Sequence, residues 1–304
     1  MRLRAAVTAL LLLTVCASCA RDVRSALTAS DSGSVWFRGA GGSVALSGDL
    51  RFPAGQGPFP AVVLMHGCAG LGNAEGGWAV ALHGYGYATF VVDSFAGRGL
   101  QEVCTNARTL LSTRRIPDAY GALRILATHP KVAPNRIALM GFSHGAIAAL
   151  TSATVWAKET YSPRGGPAFR AFLAFYPYCN AVIPEMSRIS APLRIHTGEL
   201  DDWTPARTCQ DLVRAFKEAG FDAEITVYPN AHHSFDNIGR PIMFLADVEN
   251  ASRCTPRLAS VLGPILNDDE LTACFRKGAT IGWNRQATEE ARRNVRDQLA
   301  NLMR

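Results

Sequence analysis

Apolar positions along the chain fall into short runs rich in β-branched residues, separated by longer stretches of helical character, the pattern of a parallel sheet covered on both faces. Val44 to Phe52 alternates apolar with small or polar residues, as an antiparallel edge strand does. Ala61 to Met65, Ala88 to Asp93 and Arg136 to Met140 read as buried strands, and Phe169 to Tyr176, Leu193 to Thr197 and Ala223 to Tyr228 continue the sheet. Helices are expected around Trp78 to Gly84, over Pro117 to Thr128 with proline in the first turn, over Ala146 to Trp156 and over Pro205 to Ala219. Ala287 to Met303 has amphipathic helical spacing. Asp236 to Trp283 shows weak periodicity and reads as an excursion from the fold.

Residues 1–20 carry a basic start (Arg2, Arg4), an apolar run from Ala5 to Val15 and a small uncharged stretch, Cys16 to Ala20, the layout of a secretory signal. That run is about half of the roughly twenty residues a membrane-spanning helix needs. The chain is therefore expected to be exported to a bacterial periplasm or the extracellular space. Ala17-Ser18-Cys19 also resembles the end of a lipobox, so attachment to a membrane through a lipid on Cys19 is the alternative outcome. A polar leader over 21–42, Ser- and Gly-rich from Ser25 to Gly42, and one α/β domain over 43–304 complete the expected organisation.

Composition narrows the functional classes. The formal charge is +6, or +4 without Arg2 and Arg4, and it forms no basic run with interleaved aromatics, which disfavours a nucleic-acid partner. Six cysteines follow the signal, an even count that in an exported chain suggests disulfides. Local pairing is expected, Cys254 with Cys274 and Cys68 with Cys104. None of these six shows a CxxC spacing that would point to a metal or redox centre, and His83, His129 and His196 lack partners at metal-ligand spacing. No cofactor is implied.

Gly141-Phe-Ser143-His-Gly145 matches the G-x-S-x-G turn on which α/β-hydrolases present a serine nucleophile. It lies between a buried strand and an apolar helix, where the turn must be sharp and side chains at both glycines would collide. A serine hydroxyl needs a base within hydrogen-bond reach, and the base needs an acid to fix its tautomer. In this fold the order is Ser, then Asp or Glu, then His, each after a strand. Gly198 to Pro205 offers Asp201 and Asp202, and Tyr228 to Phe235 offers His232 and His233. Order and position leave both pairs open.

His66-Gly67-Cys68-Ala-Gly70, Asp93 to Gly99, Gly141 to Gly145, Gly198 to Pro205 and His233-Ser-Phe235 together resemble the dienelactone hydrolase family of α/β-hydrolases. The resemblance spans nearly all of the expected mature chain. It implies Asp201, four residues before the proline, as the acid, and His233, two residues before the phenylalanine, as the base. His144, next after the serine, is expected to supply one oxyanion-hole N–H, and the resemblance points to Cys68 for the other. The chain departs from the family's namesake in having Ser143 where that enzyme uses cysteine, so acyl chemistry carries over and the dienelactone substrate does not follow.

The expected activity is hydrolysis of a small-molecule ester or lactone through an acyl-enzyme. A serine peptidase of the same fold and a noncatalytic binding protein on this scaffold are the alternatives. Arg98, Phe142 and Trp203 are candidate substrate contacts, although for Arg98 loop bracing is the stronger expectation. Asp93 precedes Ser143 and is expected to cap its loop, and His66 to brace the oxyanion loop.

Overall fold

A computed structural model describes residues 22–42 and 44–304. The expected signal over 1–20 and the lipidation site at Cys19 lie outside the described residues.

The sheet begins with β1 (Val23–Arg24), β2 (Gly33–Arg38), β3 (Ala45–Arg51) and β4 (Phe59–Met65). After helix α1 (Asn73–Gly84) come β5 (Ala88–Asp93), α2 (Ile116–Leu126), β6 (Val132–Phe142), α3 (His144–Ser152), α4 (Val155–Tyr161) and β7 (Ala171–Phe175). The order continues with β8 (Leu193–Gly198), α5 (Ala206–Glu218) and β9 (Ala223–Tyr228). Nine strands pair in the order β1-β2-β3-β5-β4-β6-β7-β8-β9, and from β5 to β9 every pairing is parallel. A two-stranded antiparallel ribbon of β10 (Met243–Asn250) and β11 (Arg276–Ile281) brackets α6 (Asp268–Cys274), and α7 (Arg285–Leu302) ends the chain.

Period-two alternation sorts the strand side chains onto two cores. Ala61, Val63 and Met65 of β4 join Leu123, Leu126, Val213 and Phe216 on the face covered by α2 and α5. Val62 and Leu64 point the other way, to Trp78 and Leu82 of α1 and to Ala287, Ala291, Val295 and Leu299 of α7. The four-residue spacing of the α7 set is what lets its polar sequence cover a sheet with one stripe.

Three expectations are corrected. The strand at Ala45–Arg51 is not an edge strand, because β2 pairs antiparallel along its whole length and β1 lies beyond that. Those outer strands fall within the expected polar leader, where a strand with one solvated face carries too few apolar residues to stand out. The helix expected over Ala146 to Trp156 is two helices. Thr154 turns extended between them, accepts the N–H of Ala157 (3.1 Å) and bridges to Ile189.

Three disulfides, Cys68–Cys104, Cys179–Cys209 and Cys254–Cys274, include both expected pairs and suit an oxidising, exported location. Among the described residues no helix is long and apolar enough to cross a membrane.

Candidate active site

At the carboxyl end of β6 the chain reverses into α3 through Ser143, whose φ of 51° and ψ of −115° are rare for a residue with a side chain. The flanking glycines are forced by backbone contact. A Cβ on Gly141 would stand 2.1 Å from the Gly145 carbonyl oxygen, and one on Gly145 would stand 2.2 Å from that of Met65. The Ser143 N–H donates to the Phe175 carbonyl (2.9 Å), which ties the turn to the adjoining strand β7.

Asp201 follows β8 and His233 follows β9, so three positions distant in sequence meet at one sheet edge. His233 Nε2 lies 2.9 Å from Ser143 Oγ, and Nδ1 lies 2.8 Å from Asp201 Oδ2. A carboxylate can only accept, so Nδ1 carries the proton and Nε2 accepts from the serine hydroxyl. Asp201 and His233 are both buried, which shields the pair from water. Asp201 Oδ1 also accepts from the N–H groups of Trp203 (3.0 Å) and Thr204 (2.7 Å), and Oδ2 lies 2.9 Å from the Thr204 hydroxyl.

The neighbours that sequence order alone could not exclude point elsewhere. Asp202 accepts from Thr280 Oγ1 and its N–H, both at 2.8 Å, and so pins β11. His232 turns its ring toward the Leu200 carbonyl (3.3 Å).

On the opposite side of Ser143, the loop after β4 carries His66, Gly67 and Cys68. Cys68 borders the same cleft as Ser143 and His144, its carbonyl accepts the Val103 N–H (2.8 Å), and its disulfide ties it to Cys104. His144 opens α3, so its N–H has no acceptor inside the helix. His66 braces the loop as expected, with Nδ1 2.7 Å from the Gly67 carbonyl and Nε2 accepting from the Ser94 N–H.

Behind both stands a buried cation that no local pattern announces. Arg115 Nη1 donates to the His66 carbonyl (2.8 Å) and to His144 Nδ1 (2.9 Å), and the guanidinium packs 5.3 Å from the Phe95 ring. Burial pushes the Arg115 pKa down to about 10. Burial first, then the Arg115 charge, hold His144 down at about 3, so that imidazole is neutral and donates Nε2–H to the Leu110 carbonyl. Thr204 is the second residue missed. Its neighbours in the acid loop were visible, but its contact with Asp201 depends on the turn that the loop makes.

Two expected substrate contacts are corrected. Phe142 has the strand parity of Met140 and packs in the core against Phe175 and Tyr176, away from the cleft. Arg98 holds both oxygens of buried Asp118 at 2.8 Å and also donates to the Ser94 carbonyl, so it braces its loop. Asp93 caps that loop by accepting from the N–H groups of Phe95 and Ala96. Trp203 does reach the cleft, with its ring 4.9 Å from that of His233 and its indole N–H on the Glu249 carbonyl.

A further buried carboxyl, Asp236, accepts from Trp78 Nε1 (2.7 Å) and the Tyr176 hydroxyl (2.8 Å), and burial raises its pKa. Tyr176 in turn packs 4.6 Å from the His233 ring, so this network supports the imidazole from below. Among the described residues no group of three or more His, Cys, Asp and Glu side chains is placed to hold a metal ion.

The family model of the dienelactone hydrolase family matches residues 46–266. A Bradyrhizobium protein named "Probable 2-oxo-3-(5-oxofuran-2-ylidene)propanoate lactonase" is 21% identical over 202 residues, 61% of this chain and 77% of that protein. Among solved structures, a dienelactone hydrolase-like promiscuous phosphotriesterase from metagenomic libraries superposes with a TM-score of 0.64 at 16% identity, covering 90% of this chain and 99% of that one. A thermophilic esterase of Thermogutta terrifontis gives 0.52 at 20% identity, over 65% of this chain and 83% of that one. Over the mostly parallel sheet common to that fold, this chain is a hydrolase belonging to the dienelactone hydrolase family.

Proposed function

We propose that this chain hydrolyses a carboxylic ester or lactone through an acyl-enzyme on Ser143. Ser143 Oγ attacks the carbonyl carbon as its proton passes to His233 Nε2, and Asp201 stabilises the imidazolium that forms. The N–H groups of Cys68 and His144 stabilise the developing oxyanion. The intermediate collapses, and the leaving alkoxide takes the proton from Nε2. Water then gives a proton to Nε2 as its oxygen attacks the acyl carbon. Collapse releases the acid and returns the proton to Oγ.

The carrying observation is the unbroken contact from Asp201 through His233 to Ser143, at 2.8 and 2.9 Å. The lactonase and esterase names of the relatives favour the ester and lactone class over amides. Residues 22–304 act as one unit after removal of a signal over 1–20, in a periplasmic or extracellular setting, with lipid on Cys19 as the variant of that outcome; the two outer strands before residue 43 belong to the sheet, and the three disulfides support export.

A fluorophosphonate probe should label the wild-type chain and leave Ser143→Ala unlabelled. Equal labelling of the two would remove Ser143 from the nucleophile's role.

A further inference from the structure

A cavity of about 190 Å³ opens beside Ser143. Its walls are mostly apolar, formed by Leu111 and Ile147 below and by Ile183, Leu258, Ile265 and Phe275 above. Leu258 and Ile265 belong to the segment clipped by Cys254–Cys274, which makes the excursion after β10 a roof. The roof is fixed from outside as well. The Tyr178 hydroxyl reaches the carbonyls of Cys254 (2.6 Å) and Ala251 (3.0 Å), and Asn180 Nδ2 donates to the Ser252 carbonyl (3.0 Å). Val182 donates its N–H to the Pro256 carbonyl (2.8 Å) and accepts that of Leu258 (3.0 Å). The apolar wall is thus built before any substrate arrives.

The charged side chains that line this cavity already have partners, and the Arg115 cation behind His144 does not line it. Arg108, the lining cation among the described residues, is paired with Asp268 at 2.6 Å. Arg98 is taken by Asp118 and faces its own loop. Glu249 stands on the wall with its carboxylate accepting from the Ala107 N–H (2.9 Å), and it would repel a second carboxylate. His144 stays a neutral imidazole, so it offers no positive charge. Burying an ionised carboxylate without a partner costs several kcal/mol or more, whereas each apolar CH₂ group buried contributes about 0.8 kcal/mol.

We infer that the site takes a neutral substrate whose larger flank is apolar and of modest length, seated beneath the Cys254–Cys274 roof, and that it discriminates against substrates carrying a carboxylate on that flank. The inference rests on the hydrolase reading given above.

Two matched pairs of esters test this, because either flank of the scissile bond could fill the cavity. On the acyl side p-nitrophenyl hexanoate is compared with p-nitrophenyl hydrogen adipate, and on the alcohol side hexyl acetate with 6-acetoxyhexanoate. The expected result is a kcat/KM at least about a hundredfold higher for the neutral member of at least one pair, with no pair preferring the charged member. In Ile265→Lys, whose added ammonium can reach both cavity and solvent, that preference should shrink at least tenfold. A ratio of two substrates on one protein does not move when part of the preparation fails to fold. Ser143 labelling with equal or faster turnover of the carboxylate-bearing esters would overturn the inference alone. Absence of both labelling and turnover would overturn the hydrolase reading with it.

Discussion

The two flanks of Ser143 are built from opposite materials. On the Asp201–His233 side an anion is held by donors, two backbone N–H groups, a hydroxyl and the imidazole. On the Cys68–His144 side the buried charge is a cation, and it acts on acceptors, the His66 carbonyl and a neutral imidazole. Arg115 Nε and Nη2 have no hydrogen-bond partner among the described residues, whereas both Asp201 oxygens do. The Asp201–His233 side is therefore held by dense local bonding within two loops. On the Cys68–His144 side, besides the Cys68–Cys104 disulfide and the His66 contacts, one buried side chain spans from the turn before α2 to the loop after β4 and to α3. Loss of a single group should be tolerated differently on each side.

The largest effect is expected from Asp201→Asn, which keeps the shape but favours the wrong imidazole tautomer. Its kcat should fall by about 10⁴ with labelling by fluorophosphonate correspondingly slow. Arg115→Met breaks the other side, and kcat should fall tenfold to a hundredfold as the His144 N–H loses its brace, less than the full loss of an oxyanion donor. KM should change little, and Arg115→Lys should recover part of the loss; a fall in KM-normalised labelling with no change in kcat would refute this positioning role. Thr204→Val removes one hydroxyl donor, worth about 1.5 kcal/mol or roughly tenfold in kcat. Asp202→Ala, which touches β11 and not the imidazole, should stay within about twofold. Measured in one series of ester assays, these four rank the two flanks against each other.

Buried imidazoles sharpen the contrast through stability. His196 stacks on Phe175 at 4.6 Å and binds the Tyr228 hydroxyl and Gln298, and burial lowers its pKa from 6.5 to about 4. Between those values the unfolded chain takes a proton that the folded one refuses, so stability falls as pH drops from about 6.5 toward 4. Glu75 and Asp236, raised by burial, act in the opposite sense, since the folded chain holds their protons more tightly. The informative quantity is a difference. Thermal melts of wild type minus His196→Gln should shrink as pH is lowered through that window, and a flat difference would show that His196 does not titrate on unfolding.

How far the sequence discloses this arrangement follows from the range of each interaction. The strand at Ala88–Asp93 is legible to the residue because a buried parallel strand is a nearly continuous apolar run bounded by turns, and the half-buried edge strand at Ala223–Tyr228 because Ile225, Thr226 and Val227 give it a β-branched run between turns. The turn around Ser143 is legible because its steric demand falls on the two adjacent glycines. The strand at Gly33–Arg38 is hidden, since an outer strand needs apolar residues on one face only. Arg115 is illegible for a different reason. Its partners lie 29 and 49 positions away, and an arginine followed by a proline-opened helix looks like any solvated residue until the chain closes over it.

The contact between Gly145 and the end of β4 also bears on how such a site can diversify. The atoms nearest to both glycines of the serine turn are backbone, so at those two positions there is no side chain to trade for another. The ceiling, by contrast, is a clipped loop of exchangeable residues outside the sheet. Inheritance and laboratory selection should both find new substrate ranges by rewriting the ceiling, with the floor passed on unchanged.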